Sequence, residues 1–258
     1  MKKLTKILAL SLSILMLVAL FAACNDSNSA SNGNSGTEEK PVLVMATNAY
    51  FPPYEYYENE KIVGIDAEVA AKIAEKLGMT LEIEDMEFGS IITAVQTGKV
   101  DMGMAGMTVD PDRLKNVDFS TSYATGVQVV IVKEGSEIAS LDDIAGKQIA
   151  VQENTTGDIY STDDYGDEFI NRFSKGTDAV LALTQGKVDC VIIDNEPAKS
   201  FVAANQGLVI LDTEYAIEDY AIAIAKGSDL LEKINNALAE LIADGTLASI
   251  IEKYIPSN

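Results

Sequence analysis

Gly98-Lys99-Val100-Asp101 recurs as Gly186-Lys187-Val188-Asp189, and the residues on either side match in character. The first copy follows Ala94-Val95-Gln96-Thr97 and runs into Met102-Gly103-Met104; the second follows Ala182-Leu183-Thr184-Gln185 and runs into Cys190-Val191-Ile192. Each reads as the last turn of a helix, a glycine in the C′ position, and a short strand apolar on both faces. One unit used twice predicts two lobes of similar build. The far ends of the two strands are then the first places to look for a ligand.

Working outward, apolar strands alternate with helices. Strand Val42–Ala46 leads into an aromatic loop from Thr47 to Tyr57. A helix opens at Gly64-Ile65-Asp66, carries Ile65, Val69, Ile73 and Leu77 on one face, and closes at Gly78. Strand Leu81–Ile83, a helix with Ile91, Ile92 and Val95, and the first repeat follow. A second round has strand Val129–Val132, helix Leu141–Ile144, strand Ile149–Val151, a helix around Ala179–Leu183, the second repeat and strand Leu208–Leu211. Strand Ile222–Ile224, an amphipathic helix from Leu230 to Ile242 and a helix from Leu247 to Tyr254 end the chain. This alternation predicts α/β sheets with helices on their faces.

The composition excludes several kinds of chemistry. Net charge is −21 and no histidine is present, so a nucleic-acid partner, a His triad and a His metal site are not expected. Cys24 and Cys190 are the only cysteines, too few for a disulfide framework or zinc cluster. Cys190 and Met102, Met104 and Met107 read as strand core rather than metal ligands. No cofactor or metal is expected.

Residues 1–23 read as a secretory signal: Lys2, Lys3 and Lys6, an apolar run from Ile7 to Phe21, then Ala22 and Ala23. Their removal would make the chain more acidic by three charges. Cys24 directly after the small pair resembles the lipobox of bacterial lipoproteins, with Phe21 where Leu is usual. That resemblance implies lipidation of Cys24 and anchoring to the outer face of the cell membrane. Residues 24–40 are mostly Asn, Ser, Gly, Asp, Thr and Glu and read as a flexible tether.

In open α/β sheets a ligand binds beyond the carboxyl ends of strands. Five residues after Asp101 stands Gly106, in Ala105-Gly106-Met107-Thr108; five after Asp189 stands Asp194. Asp110-Pro111-Asp112-Arg113 reads as a capped short helix that puts Arg113 near the first strand end. Gln152-Glu153-Asn154-Thr155-Thr156-Gly157 follows a strand and starts a helix, whose free N–H groups suit an anion. A cation with N–H donors near Thr108, Thr155 and Thr156, together with the anion Asp194, fits a zwitterion.

From about residue 41 onward the chain resembles the extracellular solute-binding proteins of polar amino-acid ABC importers. The matching motifs are Ala46-Thr47-Asn48 with Phe51-x-Pro53-Tyr54-Glu55, and Gly64-Ile65-Asp66-x-Glu68-Val69, where Ala67 is smaller than the family prefers. Others are Ala105-Gly106-Met107-Thr108 with Arg113, Val117-Asp118-Phe119-Ser120 and Gly245-Thr246. The resemblance implies a two-lobed periplasmic-binding-protein-like fold: lobe I from 41–123 and 220–258, lobe II from 124–219, with hinge crossings near Tyr123–Gly126 and Ala216–Tyr220. It assigns the ligand's α-carboxylate to Arg113 and the N–H groups of Thr108 and Thr156. The α-ammonium goes to Asp194, the Gly106 carbonyl and the Thr108 hydroxyl. Phe51 and Phe88 would sandwich the side chain, and Asn48 and Gln152 would face its tip. Basic-specific relatives carry Asp where this chain has Asn48, so an uncharged polar amino acid such as glutamine or cystine is expected. The implied partners are an ABC permease and, through the lipid, the membrane, with the protein a monomer. Alternatives are a sensing module for a signalling receptor and a cyclohexadienyl dehydratase-like enzyme on the same fold.

Overall fold

The computed structural model describes residues 40–256. The signal segment, Cys24 and the tether up to residue 39 lie outside the described residues.

The chain opens with β1 (Val42–Thr47), then the short strands β2 (Tyr50–Phe51), β3 (Glu55–Glu58) and β4 (Lys61–Val63). These last three pair antiparallel as a small sheet, so the expected aromatic loop contains the short strand β2 paired with the start of β3. Helix α1 (Ile65–Lys76), β5 (Thr80–Asp85), α2 (Ile91–Gln96), β6 (Met102–Gly103) and β7 (Val117–Phe119) follow. Long β8 (Ala124–Lys133) leads to β9 (Ile149–Gln152), α3 (Thr156–Tyr165), β10 (Ile170–Phe173), α4 (Gly176–Thr184), β11 (Cys190–Asp194) and α5 (Asn195–Ala204). β12 (Leu208–Ile210), β13 (Ala216–Tyr220), β14 (Ala223–Ala225), α6 (Leu230–Ala243) and α7 (Thr246–Tyr254) complete the described chain.

Two larger sheets result. One has the order β5-β1-β6-β14-β7; the other β10-β9-β11-β8-β12, with β13 also on β8. The chain passes from the first sheet to the second between β7 and β8, and returns between β13 and β14. The stretch expected near a crossing, Ala216–Tyr220, is a strand, because it finds an antiparallel partner in Ala124–Gln128. Strands β7 and β10 and helix α5 had no counterpart in the sequence reading. α5 begins Asn195-Glu196-Pro197, a start in which proline tolerates the first turn.

The repeated unit explains how each sheet is started. At α2 the N–H of Gly98 donates to Val95 (3.1 Å) and that of Lys99 to Ala94 (2.9 Å); at α4 Gly186 donates to Leu183 (2.9 Å) and Lys187 to Ala182 (3.0 Å). Both are Schellman closures, and both glycines have φ of 71°, a conformation that favours glycine. Val100 and Val188 are buried beneath. Each terminal acid then ties down the parallel neighbour: Val44 N–H donates to Asp101 Oδ2 and Gln148 N–H to Asp189 Oδ2, both at 2.7 Å. The aspartates are scaffold in both copies.

The core under the first sheet includes Leu43, Met45, Ile73, Met102, Met104 and Leu238, all fully buried. Under the second lie Val130, Ile149, Val151 and Cys190. Each such side chain contributes roughly 1.5–3 kcal/mol. Burial pushes the Cys190 thiol up to about 12, so it behaves as a small hydrophobe.

Candidate functional site

All ten residues singled out as ligand-binding line one cavity between the two sheets. Asn48, Phe51, Phe88, Gly106, Thr108 and Arg113 come from the first-sheet side, and Gln152, Thr155, Thr156 and Asp194 from the other, joined by Ala105 and Glu55. The cavity is narrow, about 330 Å³ with its mouth included, and the two sides stand close enough for Gln152 Nε2 to reach Asn48 Oδ1 at 3.0 Å. A more open groove lies beyond Arg113, but its walls carry Asp110, Asp112, Asp158 and Asp163 against Arg113 and Arg172, so acids outnumber cations and disfavour a carboxylate there.

At one end stands Arg113. The Asp110 carboxylate accepts from the N–H groups of Asp112 (2.8 Å) and Arg113 (3.1 Å), which shapes the turn. The 3₁₀ helix itself spans only Arg113–Lys115, shorter than the capped helix expected from Asp110-Pro111. Only 9% of Arg113 is exposed. Its guanidinium donates to the carbonyls of Thr108 (2.9 Å) and, across the cleft, Asn154 (3.0 Å), and lies 5.2 Å from the Phe88 ring centre. Burial lowers its pKa. Among the described residues no carboxylate forms an ion pair with it. Opposite is the N-terminus of α3, where Thr155 caps through its hydroxyl, accepting from Asp158 N–H at 3.3 Å. The first-turn N–H groups of Thr156 and Gly157 have no carbonyl four residues back inside the helix, and so suit an anion.

At the other end is Asp194, the last residue of β11 and 6% exposed. It accepts from the Tyr220 hydroxyl and from Gln128 Nε2 at 2.9 Å. Burial pushes its carboxyl up to about 7; the Tyr220 bond pulls it down, Glu218 pushes it up and Gln128 pulls it down. Gly106 faces Asp194 across the cavity with φ of 52°, and a Cβ there would stand 2.8 Å from Phe51 Cε1. Glycine is therefore required for Phe51 to lie against this backbone.

At the tip, Gln152 Nε2 donates to Asn48 Oδ1 (3.0 Å) and to the Ser174 carbonyl (3.3 Å), while Asn48 Nδ2 donates to the Met86 carbonyl (2.8 Å). The two residues expected at a ligand's polar end thus meet across the cleft.

Residues 43–257 match the family model of bacterial extracellular solute-binding proteins, family 3. The chain belongs to that family. It is 35% identical over 252 residues to the arginine-binding extracellular protein ArtP of Bacillus subtilis, covering 93% of this chain and 96% of that one. Among solved structures it resembles an ancestral arginine-binding protein bound to glutamine, with TM-score 0.80 and 38% identity over 84% of this chain and 99% of that one. It also resembles the arginine-, lysine-, histidine-binding protein ArtJ of Geobacillus stearothermophilus, with TM-score 0.80 and 32% identity over 84% of this chain and 96% of that one.

In this solute-binding protein, several functional neighbours escaped the sequence reading. Glu55, Asp66, Gln128 and Glu218 are all buried next to the cavity. Gln128 Nε2 bridges Asp194 Oδ2 and Glu218 Oε2 at 2.9 Å each, and the Thr156 hydroxyl also donates to Glu218 Oε2 at 2.9 Å. Gln128 and Glu218 lie on paired strands and look ordinary in sequence; only strand pairing brings them together. Glu55 and Asp66 stood within motifs already quoted, and a buried acid in each was the signal available. Among the described residues no group of three or more His, Cys, Asp or Glu is placed to hold a metal ion.

Proposed function

We propose that the protein is a lipid-anchored extracytoplasmic receptor that binds a free polar amino acid between two closing lobes and delivers it to an ABC permease. One observation carries this reading. A buried guanidinium, Arg113, and a buried carboxylate, Asp194, face one cavity, and among the described residues neither is held in an ion pair. Buried charges without partners are costly, and an amino-acid zwitterion supplies both counter-charges at once. Its α-carboxylate would lie on Arg113 and the N–H groups of Thr108 and Thr156, and its α-ammonium on Asp194, the Gly106 carbonyl and the Thr108 hydroxyl. Phe51 and Phe88 would flank the side chain. Because both charges are satisfied only when the lobes meet, ligand favours closure about crossings near 123–126 and 216–220.

The tip residues Asn48 and Gln152 are uncharged, which favours glutamine or another uncharged polar amino acid, cystine included. Cys24 would carry the lipid, and the monomer would dock on the permease when closed. The relatives named for arginine, lysine and histidine, and the ancestral arginine-binding protein bound to glutamine, support the amino-acid class. A thermal-shift screen against the amino acids and cystine tests the reading. A ligand at a hundred times its Kd adds about 2.7 kcal/mol, which for a domain of this size is about 5–10 °C. A gain with arginine alone would overturn the uncharged tip; no gain with any amino acid would overturn the whole reading.

A further inference from the structure

Beneath the cavity, the two chain crossings each carry a tyrosine aimed at an acid. Tyr123, just before β8, donates its hydroxyl to Asp66 Oδ2 at 2.9 Å. Tyr220, the last residue of β13, donates to Asp194 Oδ1. Both tyrosines are buried, at 4% and 0% exposure. They are also neighbours: Tyr123 N–H donates to the Tyr220 carbonyl at 3.0 Å. Yet their acids stand beside different sheets. Asp66 opens α1 beside the first, and Asp194 ends β11 in the second.

The two acids address the same end of the cavity. Asp194 lines it directly, whereas Asp66 Oδ2 accepts from Gly106 N–H at 2.9 Å and so holds in place the residue whose carbonyl is assigned to the ligand. The path of the Tyr220 hydroxyl is built into the strand it crosses. A Cβ at Gly126 would stand 2.1 Å from that hydroxyl and 2.3 Å from its Cζ, so β8 is bare of a side chain where the tyrosine passes. No left-handed backbone requires glycine there; the close approach does.

We infer that Tyr123 and Tyr220 are positioning residues that couple lobe closure to the ammonium end of the cleft, one hydroxyl serving each lobe. The inference rests on reading the cleft as an amino-acid site. Crossing segments are where backbone angles change when two lobes move. A rotation there carries both hydroxyls relative to the acids they hold, so Asp194 and the Gly106 peptide reach binding geometry together only in the closed arrangement. Without the hydroxyls, each acid stays buried with one donor fewer.

The test uses Tyr123→Phe and Tyr220→Phe in the whole protein, with Gly126→Ala as a second route to displacing Tyr220. Affinity is measured by calorimetry for the amino acid that gives the wild type its largest thermal shift, after melting curves show each variant folded. Each variant should lose affinity by on the order of ten-fold, chiefly through faster dissociation. Tyr220→Phe should also move the pH dependence of binding upward, since that hydroxyl is one of the groups drawing the Asp194 carboxyl down. The other groups facing Asp194 are Gln128 and Glu218 on the crossing strands, Tyr54 and Glu55 from the first lobe, and Arg113. Variants that bind like wild type with an unmoved pH profile would show that the rings merely fill space. A loss of affinity accounted for by a lower folded fraction would overturn the inference equally. A wild type that binds no amino acid would instead overturn the reading of the cleft itself.

Discussion

The two repeats are built alike up to the acid and then diverge, and the divergence makes the site. In the first, β6 is only Met102–Gly103, and the chain turns through Ala105-Gly106 so that backbone faces the cavity, braced from below by Asp66. In the second, β11 runs five residues and presents the Asp194 side chain itself. One lobe offers a peptide held by an acid, the other an acid. A shared scaffold thus fixes where the two mouths are, and the length of the strand decides whether main chain or side chain faces the cavity.

The largest expected effect separates the direct contacts from the indirect one. Arg113→Met and Asp194→Ala should each weaken amino-acid binding by about 2–5 kcal/mol, because each leaves a partner charge buried alone. Asp66→Asn should cost less than Asp194→Asn, since an amide oxygen can still accept from Gly106 N–H. Calorimetry on the four variants ranks them, and an Asp66→Asn loss equal to that of Asp194→Asn would erase the proposed difference between the mouths.

Next in size is a pH effect carried by both mouths. Burial pushes Asp194 to about 7 and Asp66 to about 6, both above an unfolded value of 3.8. Between roughly pH 4 and 7 the folded, ligand-free protein therefore holds protons that the unfolded chain releases, and its stability should fall as pH rises through that window. Ammonium binding needs Asp194 ionised, so the thermal gain from ligand should grow over the same range. Melting curves from pH 4.5 to 8, with and without ligand, check both slopes; a ligand gain independent of pH would contradict the role given to Asp194.

The smallest effect concerns what the repeats share. Asp101→Ala and Asp189→Ala each remove one bond to a main-chain N–H in or just before the neighbouring parallel strand and should lower stability by about 1 kcal/mol, or about 2–4 °C in melting temperature. Similar losses are expected because the geometries match. A loss at one position only would show that the sequence repeat is not a structural one.

Much of this could be read in the sequence because it is local. A helix end, a positive-φ glycine and an apolar run announce themselves within ten residues, and so do the Asp110 turn and the Thr155 cap. The ten cavity residues were found partly this way and partly by resemblance to a family. What stayed hidden depends on partners far along the chain. β13 is a strand only because β8 lies beside it, and β10 and β7 are likewise edge strands completed by their neighbours. Gln128 bridging Asp194 and Glu218 joins residues 66 and 90 positions away from it, a network no periodicity can report. The tyrosines at the crossings gave no signal for the same reason.

In the proposed complex one ligand satisfies Arg113 through its carboxylate and Asp194 through its ammonium. The most direct measurement is calorimetric affinity for the best amino acid beside its α-carboxamide and its N-acetyl derivative. Losing either charge should reduce affinity by at least about a hundred-fold, within the 2–5 kcal/mol expected for stranding a buried partner. A derivative that binds as tightly as the parent amino acid would contradict the account.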